Sequence, residues 1–437
     1  MSKDIPDLGK DYIPRVVDVI IEKKLKTTGA VVVQGPKWCG KSTTAVHAAA
    51  SNIKMDLPDM EEQYRQMAQM QPSLLLQGDT PRLIDEWQLA PDLWNAVRAE
   101  VDVRRSFGQF ILTGSTVPKK MKPGTHSGTG RFSWVNMRPM SLCETHESNG
   151  TVSLSDLFAG KKPNAVGIPY DLNDLAYLIC RGGWPLAIND DREVALAQAM
   201  NYYDAVIHEE IIRACENDED EIRLEPERAR RVLRSYARNL AQQTPIEAIR
   251  QDAVANDTES FSTGSLYAYL SFLKRIFVLE DGPAWNPNLR SKAAIRTTET
   301  RYFSDPSIGT SALGIGPQDL INDIRTMGFF FENLCVRDLR VYTDVLDGDV
   351  YHYRDGSGLE CDTVIHLRNG QYGLAEIKLG SETGIEEGAE NLRKLENKID
   401  IDQMNAPAFK MIVVGRTNFA YRRDDGIDIV PISCLRP

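Results

Sequence analysis

The chain has 437 residues, 42 % of them hydrophobic and 26 % charged, with a net charge of −11. That length predicts two or three domains, and the mix is close to the average of a soluble globular protein. The acidic balance argues against an obligate nucleic-acid binder, which carries a basic footprint. No apolar run reaches the ~18 residues of a membrane span. Residues 1–7 lack the apolar core of a secretory signal, so a cytoplasmic location with no membrane partner is expected. The seven cysteines include no C-x-x-C pair and the six histidines no H-x-x-x-H spacing. Reduced structural thiols and no zinc site follow.

In chain order, the branched apolar run at 30–34 reads as a buried parallel strand that ends in glycine. Directly after it, Gly35-Pro36-Lys37-Trp38-Cys39-Gly40-Lys41-Ser42 fits G-x-x-x-x-G-K-[ST] in full, and Thr43 follows in a predicted helix. The backbone N–H groups of such a loop, together with the helix start, form an anion cradle. Lys41 is expected to reach the β- and γ-phosphates of ATP, and the Ser42 hydroxyl to ligate Mg²⁺. A surface loop matching by chance would not explain the second feature. That feature is Leu83-Ile84-Asp85-Glu86-Trp87-Gln88, an apolar strand ending in two carboxylates. Asp85 would hold the metal and Glu86 would orient and deprotonate the attacking water. A third apolar run, 110–114, closes on Thr113-Gly114-Ser115-Thr116, where Thr113 or Ser115 could sense the γ-phosphate or form an ordinary turn. Helical stretches between these runs predict a doubly wound α/β domain.

From about 171 to 279 the pattern is helical, with apolar residues at helical spacing over 193–214. The acidic run 216–221 reads as a solvated loop, and Pro226 as the first turn of a basic helix ending near Arg238. A capped helix over 261–275 and an apolar strand at 276–279, with the helix 232–240 upstream, resemble a winged helix-turn-helix. Its second helix would enter DNA in a reader. Leu266, Tyr269, Leu270 and Leu273 form an apolar stripe instead, which favours a lid or protein-contact role. Three strands follow at 350–354, 359–367 and 371–379, joined by the turns 355–358 and 368–370. A polar helix near 386–399 and a buried strand at 410–414 complete the series.

In that last region Asp362 lies on one strand, and Glu376 and Lys378 share a face of the next. With Glu332 on a preceding helix, they resemble the metal-binding constellation of PD-(D/E)xK nucleases. The alternative reading is a buried ion-pair cluster on an inactive fold.

Nearly the whole chain resembles the bacterial and archaeal AAA+-like P-loop ATPases that carry an uncharacterised C-terminal domain. The strings that carry the resemblance are the P-loop itself and Tyr12-Ile13-Pro14-Arg15-Val16-Val17-Asp18, then Ile84-Asp85-Glu86-Trp87-Gln88, Leu112-Thr113-Gly114-Ser115 and Gly130-Arg131. Arg181-Gly182-Gly183-Trp184-Pro185, Phe331-Glu332-Asn333 and Glu376-Ile377-Lys378 follow. The resemblance implies ATP and ADP as ligands, Mg²⁺ as cofactor and a homo-oligomer as the assembly. It also implies that Arg131 touches the γ-phosphate in cis or from a neighbouring subunit. The expected architecture is a P-loop AAA+-like parallel-sheet domain over 1–165, a helical and winged-helix-like domain over 166–310, and an α/β PD-(D/E)xK-like domain over 311–437. Three functions compete: an ATPase that moves its C-terminal domains, an ATP-regulated nuclease or DNA-handling protein, and a nucleotide-sensing interaction module.

Overall fold

The computed structural model describes residues 12–115, 128–212, 224–255, 261–288 and 295–437. They fall into two units, one of Met1–Pro139 with Arg275–Phe277, the other of Met140–Lys274 with Val278–Pro437. Among the described residues no helix is long and apolar enough to cross a membrane.

The first unit runs α1 (Val16–Leu25), β1 (Ala30–Gln34), α2 (Lys41–Ala48), β2 (Ser51–Lys54), α3 (Glu61–Met70), β3 (Arg82–Asp85), α4 (Leu93–Arg104), β4 (Phe110–Gly114) and β5 (Phe132–Asn136). Its five strands lie in the order β2-β3-β4-β1-β5, and every pairing is parallel. Three consecutive valines suit β1, because a central parallel strand is covered on both faces. Val31 and Val33 pack with Val17 and Ile21 of α1 and Ala45 of α2. Val32, pointing the other way, joins Trp94 and Val97 of α4. Since the strands are parallel, β1, β3 and β4 all end at one edge, where a doubly wound sheet places its ligand. The three strands read from the sequence at 30–34, 83–86 and 110–114 are present.

In the second unit the described elements are β6 (Val152–Ser153), α5 (Leu154–Phe158), β7 (Ala165–Val166), α6 (Leu172–Arg181), α7 (Arg192–Ala205), α8 (Pro226–Arg238), α9 (Ile246–Ala253), α10 (Thr263–Arg275), α11 (Pro306–Leu313), α12 (Pro317–Asn322) and α13 (Ile324–Val345). They continue with β8 (Gly348–Arg354), β9 (Glu360–Leu367), β10 (Tyr372–Lys378), α14 (Glu382–Lys398), β11 (Phe409–Val414), β12 (Phe419–Arg422), β13 (Asp428–Pro431) and β14 (Leu435–Arg436). A seven-stranded mixed sheet has the order β7-β12-β13-β11-β10-β9-β8. Its β8-β9-β10 meander is antiparallel, and β10, β11 and β13 run parallel.

Pro226 takes the first position of α8, where its missing N–H costs nothing. Of the helical pattern expected over 193–214, α7 covers the part to Ala205 and a π turn follows at Val206–Glu210, while 213 and 214 lie outside the described residues. The acidic run 216–221 lies outside the described residues. The apolar stripe Leu266, Tyr269, Leu270 and Leu273 is buried. The strand expected at 276–279 is absent. The N–H groups of Val278 and Leu279 both return to the Leu273 carbonyl, at 2.9 and 3.4 Å, to close the end of α10. They are therefore withdrawn from a ladder, and only Leu279 makes a single bridge to Phe303.

Candidate functional site

The P-loop leaves the C-terminal end of β1 and enters α2 at Gly40, whose φ of +97° is left-handed. Glycine reaches that region without steric cost. Gly35 is required for a different reason: a Cβ there would stand 2.0 Å from the Met137 carbonyl oxygen. Pro36 and Cys39 are buried, Lys37 is half-buried and Trp38 is exposed with φ +66°. Thr43 is exposed in the first turn of α2. Lys41 is buried, and its ammonium donates to the Pro36 carbonyl at 2.7 Å, inside the curl of the loop.

Arg15 braces this loop from outside. Its guanidinium donates to the Cys39 carbonyl at 2.8 Å and to the Arg138 carbonyl at 2.9 Å. Tyr12 donates to Asp18 at 2.6 Å and stacks on His47 of α2 at 4.1 Å. Both lie in a string quoted for the resemblance, but no spacing rule assigns them a task.

The acids sit at the end of β3. Ser42 Oγ donates to Asp85 Oδ1 at 2.9 Å, which brings the hydroxyl and carboxylate of a magnesium site together. Thr113 Oγ1 donates to the same Asp85 oxygen and accepts from the Glu86 N–H at 3.3 Å. Thr113 is fully buried, and its one proton is committed to Asp85. In this arrangement the Thr113 hydroxyl orients the acids. Ser115 Oγ stands 3.5 Å from Glu86 Oε2. Glu86 itself has φ 56° and ψ 45°, a left-handed conformation that a non-glycine residue holds only under constraint. Burial raises its carboxyl above the usual range, partly offset by the nearby Lys41 charge and the Gln88 amide.

Arg131 is not at this edge. It directly precedes β5, its carbonyl accepts from Ala30 N–H at the start of β1, and Ala30 pairs with Phe132. The whole length of β1 separates it from the P-loop, about 16 Å at ~3.3 Å per residue. Its exposed side chain bonds Asp102 of α4 at 2.8 Å. A γ-phosphate contact in cis is excluded by this register.

In the second unit Asp362, Glu376 and Lys378 of the other constellation do meet, while Glu332 bonds Tyr302 and is reached by the other three through their charges. Lys378 Nζ stands 2.7 Å from Glu376 Oε2 and 3.1 Å from Asp362 Oδ2, which also accepts the Ile377 N–H at 2.8 Å. Tyr302 donates to Glu332 Oε1 at 2.5 Å. Burial and the Asp362 charge push the Glu376 carboxyl up to about 8 and raise that of Glu332 well above its ordinary value. The lysine lies between the two carboxylates that were expected to share a metal. Among the described residues no three His, Cys, Asp or Glu side chains are grouped as metal ligands. The arrangement is an ion-paired cluster.

Residues 27–146 match the family model described as an AAA domain. The chain carries an AAA-type P-loop domain. Two further matches are to domains of unknown function, DUF8612 over 172–319 and DUF4143 over 327–435. No curated protein matches the sequence. Among solved structures the chain is similar to a Walker-type ATPase of Pyrococcus abyssi, at 14 % identity and a TM-score of 0.42, over 70 % of this chain and 97 % of that one. It is similar to a Signal Transduction ATPase with Numerous Domains (STAND) protein of Pyrococcus horikoshii that has a tetratricopeptide repeat sensor. There the identity is 13 % and the TM-score 0.21, over 76 % of this chain and 48 % of that one. A third likeness is to the Aeropyrum pernix Orc1 protein, solved in complex with DNA, at 12 % identity and a TM-score of 0.22, over 71 % and 96 %.

Proposed function

We propose that the chain is a Mg²⁺-dependent ATPase whose nucleotide state moves its second unit. The observation that carries the reading is the convergence of Ser42 and Asp85, 2.9 Å apart, at the mouth of a complete P-loop, with Glu86 next in the chain. Gly35 to Thr43 would cradle the triphosphate, and Lys41 would exchange the Pro36 carbonyl for phosphate oxygens. Ser42 and Asp85 would hold Mg²⁺, which supplies charge neutralisation at the β- and γ-phosphates when bound. Glu86 would take a proton from the attacking water. Arg131 retains only a role in trans, from the outer face of a neighbouring copy in a homo-oligomer. Lys41→Ala is expected to abolish ATP binding. Glu86→Gln is expected to keep binding and lower turnover by ~10²-fold or more. Wild-type protein that binds ATP without turnover would leave the nucleotide-sensing module as the better reading.

A second reading, an ATP-regulated nuclease or DNA-handling protein, is supported by the meeting of Asp362, Glu376 and Lys378, with the charge of Glu332 nearby, which resembles the PD-(D/E)xK constellation. The Lys378 ion pairs oppose it. The helices α8, α9 and α10 stand in the order that the winged-helix reading expects, with single bridges Leu279–Phe303 and Gly282–Thr300 in place of its strand, and the buried apolar stripe of α10 favours a lid or protein contact over a DNA contact. Nucleic-acid cleavage that vanishes in both Asp362→Ala and Lys378→Ala would establish this reading.

A further inference from the structure

Gln88 closes the string Leu83-Ile84-Asp85-Glu86-Trp87-Gln88, but the role assigned above to the P-loop and the acid pair does not use it. It follows Trp87 in a short 3-10 turn after β3, and its Nε2 donates to Glu86 Oε2. The other end of the amide is unmet. Gln88 Oε1 is buried and has no hydrogen-bond partner among the described residues. A buried acceptor without a donor is costly, and beside a candidate reaction centre it is an opening for a donor that arrives with the ligand. The amide cannot be reversed to relieve it, because the carbonyl would then face the charged Glu86 carboxylate.

The position of that oxygen is informative. It lies over Gly114, where a Cβ would stand 2.8 Å from it. Gly114 ends β4 and pairs in register with Gln34, the residue before the P-loop. The free carbonyl and the Glu86 carboxylate are thus held side by side at the edge where β1, β3 and β4 end. Gly114 leaves the room that the carbonyl occupies.

We propose that Gln88 positions both the general base and its water: its N–H fixes Glu86, and its free carbonyl accepts the second proton of the attacking water. The inference rests on the ATPase reading given above. A water that attacks the γ-phosphorus has two O–H bonds to orient. One proton passes to Glu86 as the new O–P bond forms and the bond from phosphorus to the bridging oxygen breaks, releasing ADP. The other stays on the product phosphate and, until then, points at Gln88 Oε1. Orientation of this kind acts in the transition state and leaves ground-state nucleotide binding untouched.

The test is steady-state hydrolysis of ATP by the full chain with Mg²⁺, for wild type, Gln88→Met, Gly114→Ala, Glu86→Gln and the double variant of positions 86 and 88. Gln88→Met keeps the length and apolar stem but removes both polar ends. The expected result is a fall in kcat of ~10–10²-fold with KM for ATP and thermal midpoint unchanged. The double variant should be no slower than Glu86→Gln alone, because the two residues act as one unit. Gly114→Ala, which crowds the carbonyl without touching it chemically, should reproduce the kcat loss. Turnover in Gln88→Met within twofold of wild type would overturn the proposal, as would losses that add in full in the double variant. Either result, with Glu86→Gln inactive, leaves the ATPase reading standing. Absence of turnover in the wild type would overturn both.

Discussion

Asp85, Glu86 and Lys41 in one unit and Asp362, Glu376 and Lys378 in the other are the same three residue types, wired in opposite ways. In the first unit the acids are met by neutral donors: Ser42 and Thr113 on Asp85, Gln88 and Ser115 on Glu86. The Lys41 ammonium donates to a backbone carbonyl rather than to either acid. Each charge there keeps its capacity for an outside ligand. In the second unit Lys378 bonds both acids directly, so its ammonium is taken up within the cluster. The contrast teaches that the same three residue types can be oriented by hydroxyls and amides, which leaves the lysine for other partners, or by the lysine itself, which takes it up.

The strongest way to break this contrast is Lys378→Met. Removing the ammonium leaves the Asp362 carboxylate without its counter-charge and Glu376, which is 1 % exposed, without its donor. Breaking a buried pair from one side typically costs about 3–5 kcal/mol, and because Glu376 holds its proton at neutral pH the loss should lie near the lower end. A large downward shift of the denaturant midpoint is expected. An unchanged midpoint would show that the cluster is not structural.

A smaller effect comes from pH. Glu376 holds its proton up to about 8 in the folded chain, against about 4.3 when unfolded. The folded state therefore binds that proton more tightly. Its contribution to stability is complete below the unfolded value and declines as pH rises through about 8. Denaturant midpoints measured from pH 5 to 9 should fall, and Glu376→Gln should flatten the slope. A profile that rises over that range would mean Lys378 holds Glu376 ionised throughout.

The smallest effect is expected at Arg131, which belongs to neither cluster. Its exposed pair with Asp102 contributes about 0–1 kcal/mol. Arg131→Ala should leave the melting midpoint nearly unchanged and alter turnover only if it acts across an oligomer. Turnover that depends on protein concentration in the wild type and not in this variant would place Arg131 in a neighbouring site.

Much of the first unit was legible in the sequence for a local reason. A run such as Val31-Val32-Val33 before a glycine loop, or Leu83-Ile84 before two acids, specifies a buried strand and what stands at its end. Lys41, Ser42, Asp85 and Glu86 could be read that way because each is tied to its strand end by covalent neighbours. The meander β8-β9-β10 was equally readable, since short turns join adjacent strands. The strand expected at 276–279 failed because helix closure claimed its N–H groups, a competition that an apolar pattern does not register.

The sequence by itself determined which residues stand at the ends of β1, β3 and β4, and therefore the phosphate loop and its acids. Only the tertiary structure decided which neighbours those residues meet. The insertion of β4 between β3 and β1 puts Thr113 on Asp85 and Gly114 under Gln88. The register of β5 on β1 sends Arg131 to the far end. The pairing of β9 with β10 closes Asp362 onto Lys378. Such contacts depend on strand order and register, which arise from packing between segments distant in the chain, and no local pattern encodes them.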